Sequence, residues 1–404
     1  GFSANERAIT VTIGQTTVAT GISADSDGSW STSVLIPSLP AGSHTIRAQG
    51  SQTSASSVPI LTLILGAEVS LERSSGPPGT ALKVSGSGFG PRESITVTVG
   101  DGLTEVNVSA DPQGAWTGSV IIPPAPGGRL AIRAAGARGR TKETDFNVTP
   151  TVSLSQPTGF PGSLVTVEGH GFKANQNGMS IRFGDAVVDS PSANSQGSWT
   201  ISFTIPSSPS GTHPITVSGV NPQLEVPFTV TPTISLGGTQ GEPGSSVTVS
   251  GSGFGTNERG ITVTLDQTTV AAGIFANAEG SWSVSFSLPS LPTGSYSVQG
   301  SGSQTSAASV PEITLTVGAD LDLDRSSGPP GTTVGVSGAG FRARESITVT
   351  LGEGFTETNV AADDQGGWTA SVRIPPAPAG RLVIRASGAE GQKMEADFIV
   401  TPTV

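Results

Sequence analysis

The sequence predicts an all-β chain of tandem β-sandwich domains strung into an elongated rod, and three observations carry that reading. Apolar residues alternate at period two in short runs bounded by Gly and Pro, as in Val165-Thr166-Val167 and Ile261-Thr262-Val263-Thr264-Leu265. Such alternation marks half-buried strands. Five tryptophans, Trp30, Trp116, Trp199, Trp282 and Trp368, recur at spacings of 86, 83, 83 and 86 residues, and self-similarity at a fixed spacing marks repeated units. The 404 residues leave room for several domains of roughly 100 to 150 residues each.

Each tryptophan closes the same phrase, Ala-[Asp/Asn]-x-x-Gly-x-Trp, as in Ala24-Asp25-Ser26-Asp27-Gly28-Ser29-Trp30 and Ala193-Asn194-Ser195-Gln196-Gly197-Ser198-Trp199; the others start at Ala110, Ala276 and Ala362. The phrase predicts a tight hairpin. Asp or Asn bonds forward to backbone N–H, Gly takes the positive-φ position, and Trp opens the next strand as a core anchor. An earlier phrase, Gly-x-Pro-Gly-[Ser/Thr], stands at Gly76, Gly159, Gly241 and Gly328 and suits a type II turn. A strand comes next, then a Gly-Phe corner at Gly88-Phe89, Gly171-Phe172, Gly253-Phe254 and Gly340-Phe341. After the Trp strand comes a Pro-rich bend, as at Ile205-Pro206 and Leu288-Pro289, and then two more strands, for instance His213 to Ser218 and Glu225 to Val230. About seven short strands per unit is the rhythm of an immunoglobulin-like sandwich.

A longer period overlies this one. Residues 1–152 match 253–404 at an offset of 252, so the order of units is A, B, C, A′, B′. The expected domains are 1–66 (A), 67–150 (B), 151–231 (C), 232–317 (A′) and 318–404 (B′). Their joints are short: Leu65-Gly66-Ala67, Val148-Thr149-Pro150-Thr151, Val230-Thr231-Pro232-Thr233 and Val317-Gly318-Ala319. Joints with almost no linker and several prolines predict semi-rigid neighbours. At about 3.3 Å per residue, strands of about ten residues would make units roughly 35–40 Å long. Gly1-Phe2 matches Gly253-Phe254, so unit A lacks the counterpart of Thr233–Ser252, its first two strands. Either the chain is an excerpt of a longer polypeptide or another subunit donates those strands. The C-terminal Thr401-Pro402-Thr403-Val404 could supply only a fragment of them, which favours the excerpt.

Composition narrows the function. A net charge of −11 with four lysines, Lys83, Lys142, Lys173 and Lys393, offers no basic cluster for phosphates and argues against nucleic acid. There is no cysteine for a disulfide framework or thiolate chemistry. No apolar run approaches the roughly 20 residues that span a bilayer, and no signal peptide opens the sequence at Gly1.

The succession Gly-x-Pro-Gly-Ser-x-Val-Thr-Val-x-Gly-x-Gly-Phe, then Asn-Glu-x-x-Ile-Thr-Val, then the Gly-x-Trp phrase, clearest over residues 241–282, resembles the IPT/TIG-like and related Ig-like repeats of bacterial and archaeal surface proteins. The resemblance runs through the whole chain and carries no catalytic residues. It implies an extracellular or cell-surface setting and a role as stalk, spacer, adhesin arm or fibre subunit.

Candidate chemistry is thin. His44 becomes Tyr296 in the partner copy and His170 becomes Ser252, which is not how a site that must act in each repeat would be filled. Asp25, Asp27, Asp111, Asp363 and Asp364 crowd the phrase before Trp, where calcium ligands could gather, but unit C has Asn194, Ser195 and Gln196 there. Turn chemistry explains every copy. Asp320, Asp322 and Asp324 alternate along one strand as a solvated face, with Glu68, Ser70 and Glu72 as counterparts. Lys83 aligns with Gly335 and Lys142 with Met394, which speaks against a repeated lysine–asparagine crosslink. Two sequons, Asn107-Val108-Ser109 and Asn147-Val148-Thr149, could carry glycans.

The expected site residues are therefore structural: Trp30, Trp116, Trp199, Trp282 and Trp368 as core anchors, with no catalytic, cofactor or metal residues. The expected function is a non-catalytic extracellular filament, stalk or cell-surface rod. Its partners are copies of itself or neighbouring repeats of the same long chain, with lateral pairing through strand edges that few lysines guard. The alternative is an adhesin arm that binds glycan or protein through exposed loops.

Overall fold

The alternating runs become paired strands in the computed structural model, which describes residues 1–352, 356–389 and 391–402. The unit around Trp282 shows the plan. Strands Trp282–Ser287, Ser246–Ser252 and Thr233–Leu236 pair in that order into one antiparallel sheet. The second sheet has the order Gln240–Gly241, Ile313–Val317, Gly294–Ser301, Ile261–Leu265, Thr268–Ile274. Its two-residue edge, Gln240–Gly241, runs parallel to Ile313–Val317. The chain thus starts this unit in the three-stranded sheet, touches the edge of the other at Gln240–Gly241 and returns to the first through the Pro-Gly turn. The same three-plus-five pairing recurs around Trp116, Trp199 and Trp368.

Alternation decides which residues meet between the sheets. Val247, Val249, Ile261, Val263, Leu265, Leu315 and Val317 are buried in one cluster with Phe254 and Trp282. Burying each such side chain contributes about 1.5–3 kcal/mol, so the cluster is what closes the sandwich. The intervening residues face out. On the three-stranded sheet they are hydroxyls paired across strands, Thr248 Oγ1 with Ser285 Oγ at 2.7 Å and Ser250 Oγ with Ser283 Oγ at 3.0 Å. Equivalent cores stand around Trp116, Trp199 and Trp368.

The phrase ending in Trp is not the hairpin that its turn chemistry suggested. It leads from Thr268–Ile274, the edge of the five-stranded sheet, into Trp282–Ser287 of the other sheet. Trp must enter the space between the layers, so the chain changes layers there instead of folding back within one.

The first unit is a half-sandwich. Its single sheet has the order Thr16–Ile22, Ile9–Ile13, Gly42–Gln49, Leu61–Leu65. Residues 30–38 form no strand, because the sequence has no counterpart of Ser246–Ser252 for them to pair with. Ile36 is 53% exposed in this segment where its counterpart Leu288 is 2% exposed. At the other end, Thr403 and Val404 of the C-terminal Thr401-Pro402-Thr403-Val404 lie outside the described residues.

Candidate functional site: the domain joints

Each joint grows out of the Gly-Phe corner, so the corner comes first. Phe89, Phe172, Phe254 and Phe341 are buried and meet the Trp of the same unit edge-on, with ring centroids 5.9, 5.5, 5.3 and 5.8 Å apart. Edge-to-face contact suits the ring quadrupoles. The Phe backbone then fixes the Asx turn, since Phe254 N–H donates to Gly280 O at 3.0 Å. Gly280 has φ +73°, and a Cβ on it would stand closer than 3.0 Å to Phe254 O. Only glycine meets both demands. Within the turn, Asn277 Oδ1 accepts N–H from Glu279 and Ser281 at 3.1 and 2.8 Å. Asp25, Asp111, Asn194 and Asp363 make the same two bonds. Asp364 instead pairs with Arg344 at 2.6 Å. Among the described residues no cluster of three or more carboxylate or imidazole groups is placed to hold a metal.

Four of the five tryptophans sit in the core: Trp116, Trp199 and Trp368 are 5% exposed and Trp282 is 6% exposed. Each ring lies against the backbone of a glycine on the neighbouring strand, Gly86, Gly169, Gly338 and Gly251, where a Cβ would approach closer than 3.0 Å. Trp30 differs. It is half-buried, touching Phe2 at 5.6 Å, because the strand that would cover it has no counterpart in the sequence.

The corner also carries a buried acid that sequence reasoning missed. Glu6, Glu93, Glu258 and Glu345 are at most 6% exposed. The residue before each of them, Asn5, Arg92, Asn257 or Arg344, has φ between 49° and 61°. That sharp bend turns the carboxylate inward. Glu258 accepts N–H from Gly255, Gln304 and Thr305 and the Thr305 hydroxyl, at 2.7, 2.6, 2.7 and 2.7 Å. It thereby ties the corner to the tip of the last hairpin. Glu6 makes the matching bonds to Ser3, Gln52 and Thr53. Glu93 binds Gly90 N–H and Arg138 N–H. Burial pushes the Glu6 carboxyl up, but bonds from the Thr53 hydroxyl and from backbone N–H of Gln52, Ser3 and Thr53 outweigh it and hold the group at about 2, below the ordinary 4.5. In Glu258 burial is likewise outweighed by the Thr305 hydroxyl and the backbone N–H groups. In Glu93 burial is outweighed by the N–H groups of Arg138 and Gly90 and by the guanidinium groups of Arg138 and Arg140. Unit C has Gln176 instead, whose amide donates to Gly219 O at 3.0 Å and accepts from Lys173 N–H at 3.1 Å. The recurring Glu two residues or so before Ile-Thr-Val was the available signal.

From this corner the units join. One backbone N–H, just before the penultimate strand of each unit, donates to the corner of the next. Ala41 bonds Gly88 O at 2.8 Å, Gly127 bonds Phe172 O at 2.7 Å, Ser210 bonds Phe254 O at 3.2 Å and Thr293 bonds Gly340 O at 2.6 Å. The donors come directly after Pro40, Pro126, Pro209 and Pro292. Those prolines explain two of the histidines. His44 Nε2 bonds Pro40 O at 2.6 Å and His213 Nε2 bonds Pro209 O at 2.8 Å, while Tyr296 hydroxyl donates to Pro292 O at 2.8 Å. A phenol can replace the imidazole because one hydrogen bond to a carbonyl is all the position asks. His170 lies apart, 3.1 Å from Ser198 Oγ. Asp322 and Asp324 are exposed as expected of a solvated face, whereas Asp320 is half-buried and pushed up by burial and by the neighbouring Asp322.

The IPT/TIG domain model matches residues 150–234 and 232–316. No curated protein sequence matches the chain. Among solved structures it is similar to invasin, a bacterial integrin-binding protein, at 14% identity over 83% of this chain and 79% of that one, with TM-score 0.22. It is also similar to SGBP-B of the Bacteroides ovatus mixed-linkage glucan utilization locus, at 14% identity over 77% and 92% of the two chains, with TM-score 0.25. A third is the Ca2+-stabilized adhesin of an Antarctic bacterium, at 15% identity over 84% and 99%, with TM-score 0.17. No helix among the described residues is long and apolar enough to cross a membrane. The chain is a tandem array of Ig-like β-sandwich repeats, two of which, residues 150–234 and 232–316, match the IPT/TIG domain.

Proposed function

We propose that this chain is a load-bearing, non-catalytic segment of an extracellular filament, stalk or cell-surface rod of a bacterium or archaeon. The carrying observation is the joint itself: four successive units each donate a backbone hydrogen bond to the next unit's Gly-Phe corner, to the glycine carbonyl at Gly88 and Gly340 and to the phenylalanine carbonyl at Phe172 and Phe254. The units divide at residues 66, 150, 231 and 317. The rod's neighbours are copies of this chain in a filament, or further repeats of one long chain, with open strand edges available for lateral contact. Electron microscopy of the native material tests the reading. Linear fibres or stalks with a repeat near the unit length support it, and a dispersed globular protein overturns it.

The second reading is an adhesin arm that binds glycan or protein. Phe275 favours it, being 64% exposed with the Arg259 guanidinium 6.0 Å from its ring centre. An exposed ring beside a cation is a contact suited to a sugar face or a peptide side chain. Screening the chain and Phe275→Ala against glycans separates the readings, since only the adhesin loses binding.

A further inference from the structure

We infer that the chain has two mechanically different joints, and that it bends at A–B and A′–B′ while B–C and C–A′ are splinted. The inference concerns the joints alone and holds whether the chain is a spacer or an adhesin arm.

The linker positions are equivalent in structure. Thr149, Thr231 and Gly318 donate N–H to Gly76, Gly159 and Gly241 O at 3.0, 2.9 and 2.9 Å. The residue after each of these differs, being Pro150 and Pro232 in two joints but Ala319 in the third, and the fourth joint has Gly66-Ala67. Proline fixes its own φ and bars its predecessor from the helical region, and a β-branched Thr stiffens that predecessor further. A Gly-Ala pair imposes none of these limits.

Packing across the joints divides them the same way. At B–C and C–A′, Pro126 and Pro209 Cα come within 3.0 Å of where a Cβ would stand on Gly197 and Gly280 of the next unit. Pro78 and Pro161 Cδ lie 3.0 and 3.2 Å from the matching points on Gly171 and Gly253. At the equivalent Gly114 and Gly366, the nearest atoms out to 3.4 and 3.3 Å all belong to Phe89 and Phe341 of the same unit. Pro40 and Pro292 therefore stand farther off.

The A–B joints rely on polar contacts instead. Across A–B, Gly88 O accepts Ala41 N–H at 2.8 Å, and the Arg140 guanidinium of the same unit as Gly88 donates to that oxygen at 2.9 Å. Across A′–B′, Thr293 Oγ1 reaches the Gln392 amide oxygen at 2.6 Å, and the amide nitrogen faces Glu345 at 3.1 and 3.2 Å. Such bonds exchange readily with water and resist bending less than packed rings. The chain order therefore gives bend, splint, splint, bend.

The chain has no cysteine, so spin-label pairs can be introduced freely. Thr200, Ser283 and Thr369 are exposed at matching places on successive units. The full chain with Thr200→Cys and Ser283→Cys spans C–A′, and with Ser283→Cys and Thr369→Cys spans A′–B′. Double electron–electron resonance should give a broader distance distribution for the second pair. Gly318→Thr with Ala319→Pro should narrow it to the width of the first. The reverse exchange, Thr231→Gly with Pro232→Ala, removes a constraint and should broaden the first pair. Equal widths in the parent chain, or widths unchanged by either exchange, would overturn the inference.

Discussion

In unit A′ the carboxylate of Glu258 takes both the hydroxyl and the N–H of Thr305, each at 2.7 Å, across 47 residues of sequence. The corner that receives the preceding unit is thereby held to the tip of the last hairpin, which the register Thr262 with Ser301 brings beside it. Removing the acid leaves those donors and the Gly255 and Gln304 N–H groups buried and unpaired. Glu258→Ala should cost the unit about 2–3 kcal/mol, and Glu258→Gln about 1–2 kcal/mol, because the amide keeps one acceptor and sets its NH2 against a donor. Urea unfolding followed by tryptophan fluorescence measures both.

Acid should act on the same groups. Glu6, Glu93 and Glu258 are held below the ordinary value of 4.5 in the folded chain. A lowered folded-state value contributes stability that is whole above the unfolded value and is lost as pH falls through the folded one. For Glu6 that window runs from 4.5 down to about 2. Calorimetry of the full chain between pH 7 and pH 2 should show the transitions of units A, B and A′, which carry Glu6, Glu93 and Glu258, moving down in temperature. Unit C, with Gln176 at this position, should move less than those three.

Turn chemistry at the Asx position predicts a specific pattern of tolerance. Asp111→Asn keeps the Oδ1 that accepts Gln113 and Ala115 N–H, and should change stability by less than about 0.5 kcal/mol. Asp111→Ala should cost about 1 kcal/mol. Adding calcium should leave the melting temperature of either variant and of the parent unchanged, whereas a metal site would show a rise that Asp111→Asn weakens.

The glycine under each Trp leaves no room for a side chain. Gly251→Ala would press a methyl into the Trp282 ring, closer than 3.0 Å. Overpacking of this kind should cost about 1–3 kcal/mol and blue- or red-shift Trp282 emission, read by thermal unfolding and fluorescence.

Much of the sandwich is legible in the sequence because its signals are local. The Asx turn, the Pro-Gly turn and the Phe–Trp corner each lie within a few residues and depend on side chains that only a few types can replace. The hairpin expectation failed for a related reason: turn residues report how the chain bends, not whether the next strand joins the same sheet. Glu258 was harder to read, since its partner lies 47 residues away and changes from Thr305 to Arg138 between units. The bond at each joint was not legible, because it runs from a backbone N–H to a backbone carbonyl, although a proline stands before every donor. Trp30 shows the converse limit, as its phrase is intact while the strands that would bury its ring have no counterpart in the sequence.

The most direct test of the account is small-angle X-ray scattering of the monodisperse full chain. Units roughly 35–40 Å long joined end to end predict a radius of gyration of about 50 Å and a rod-like distance distribution with a long tail. A radius near 22 Å, the value expected if 404 residues packed into one globule, would contradict it.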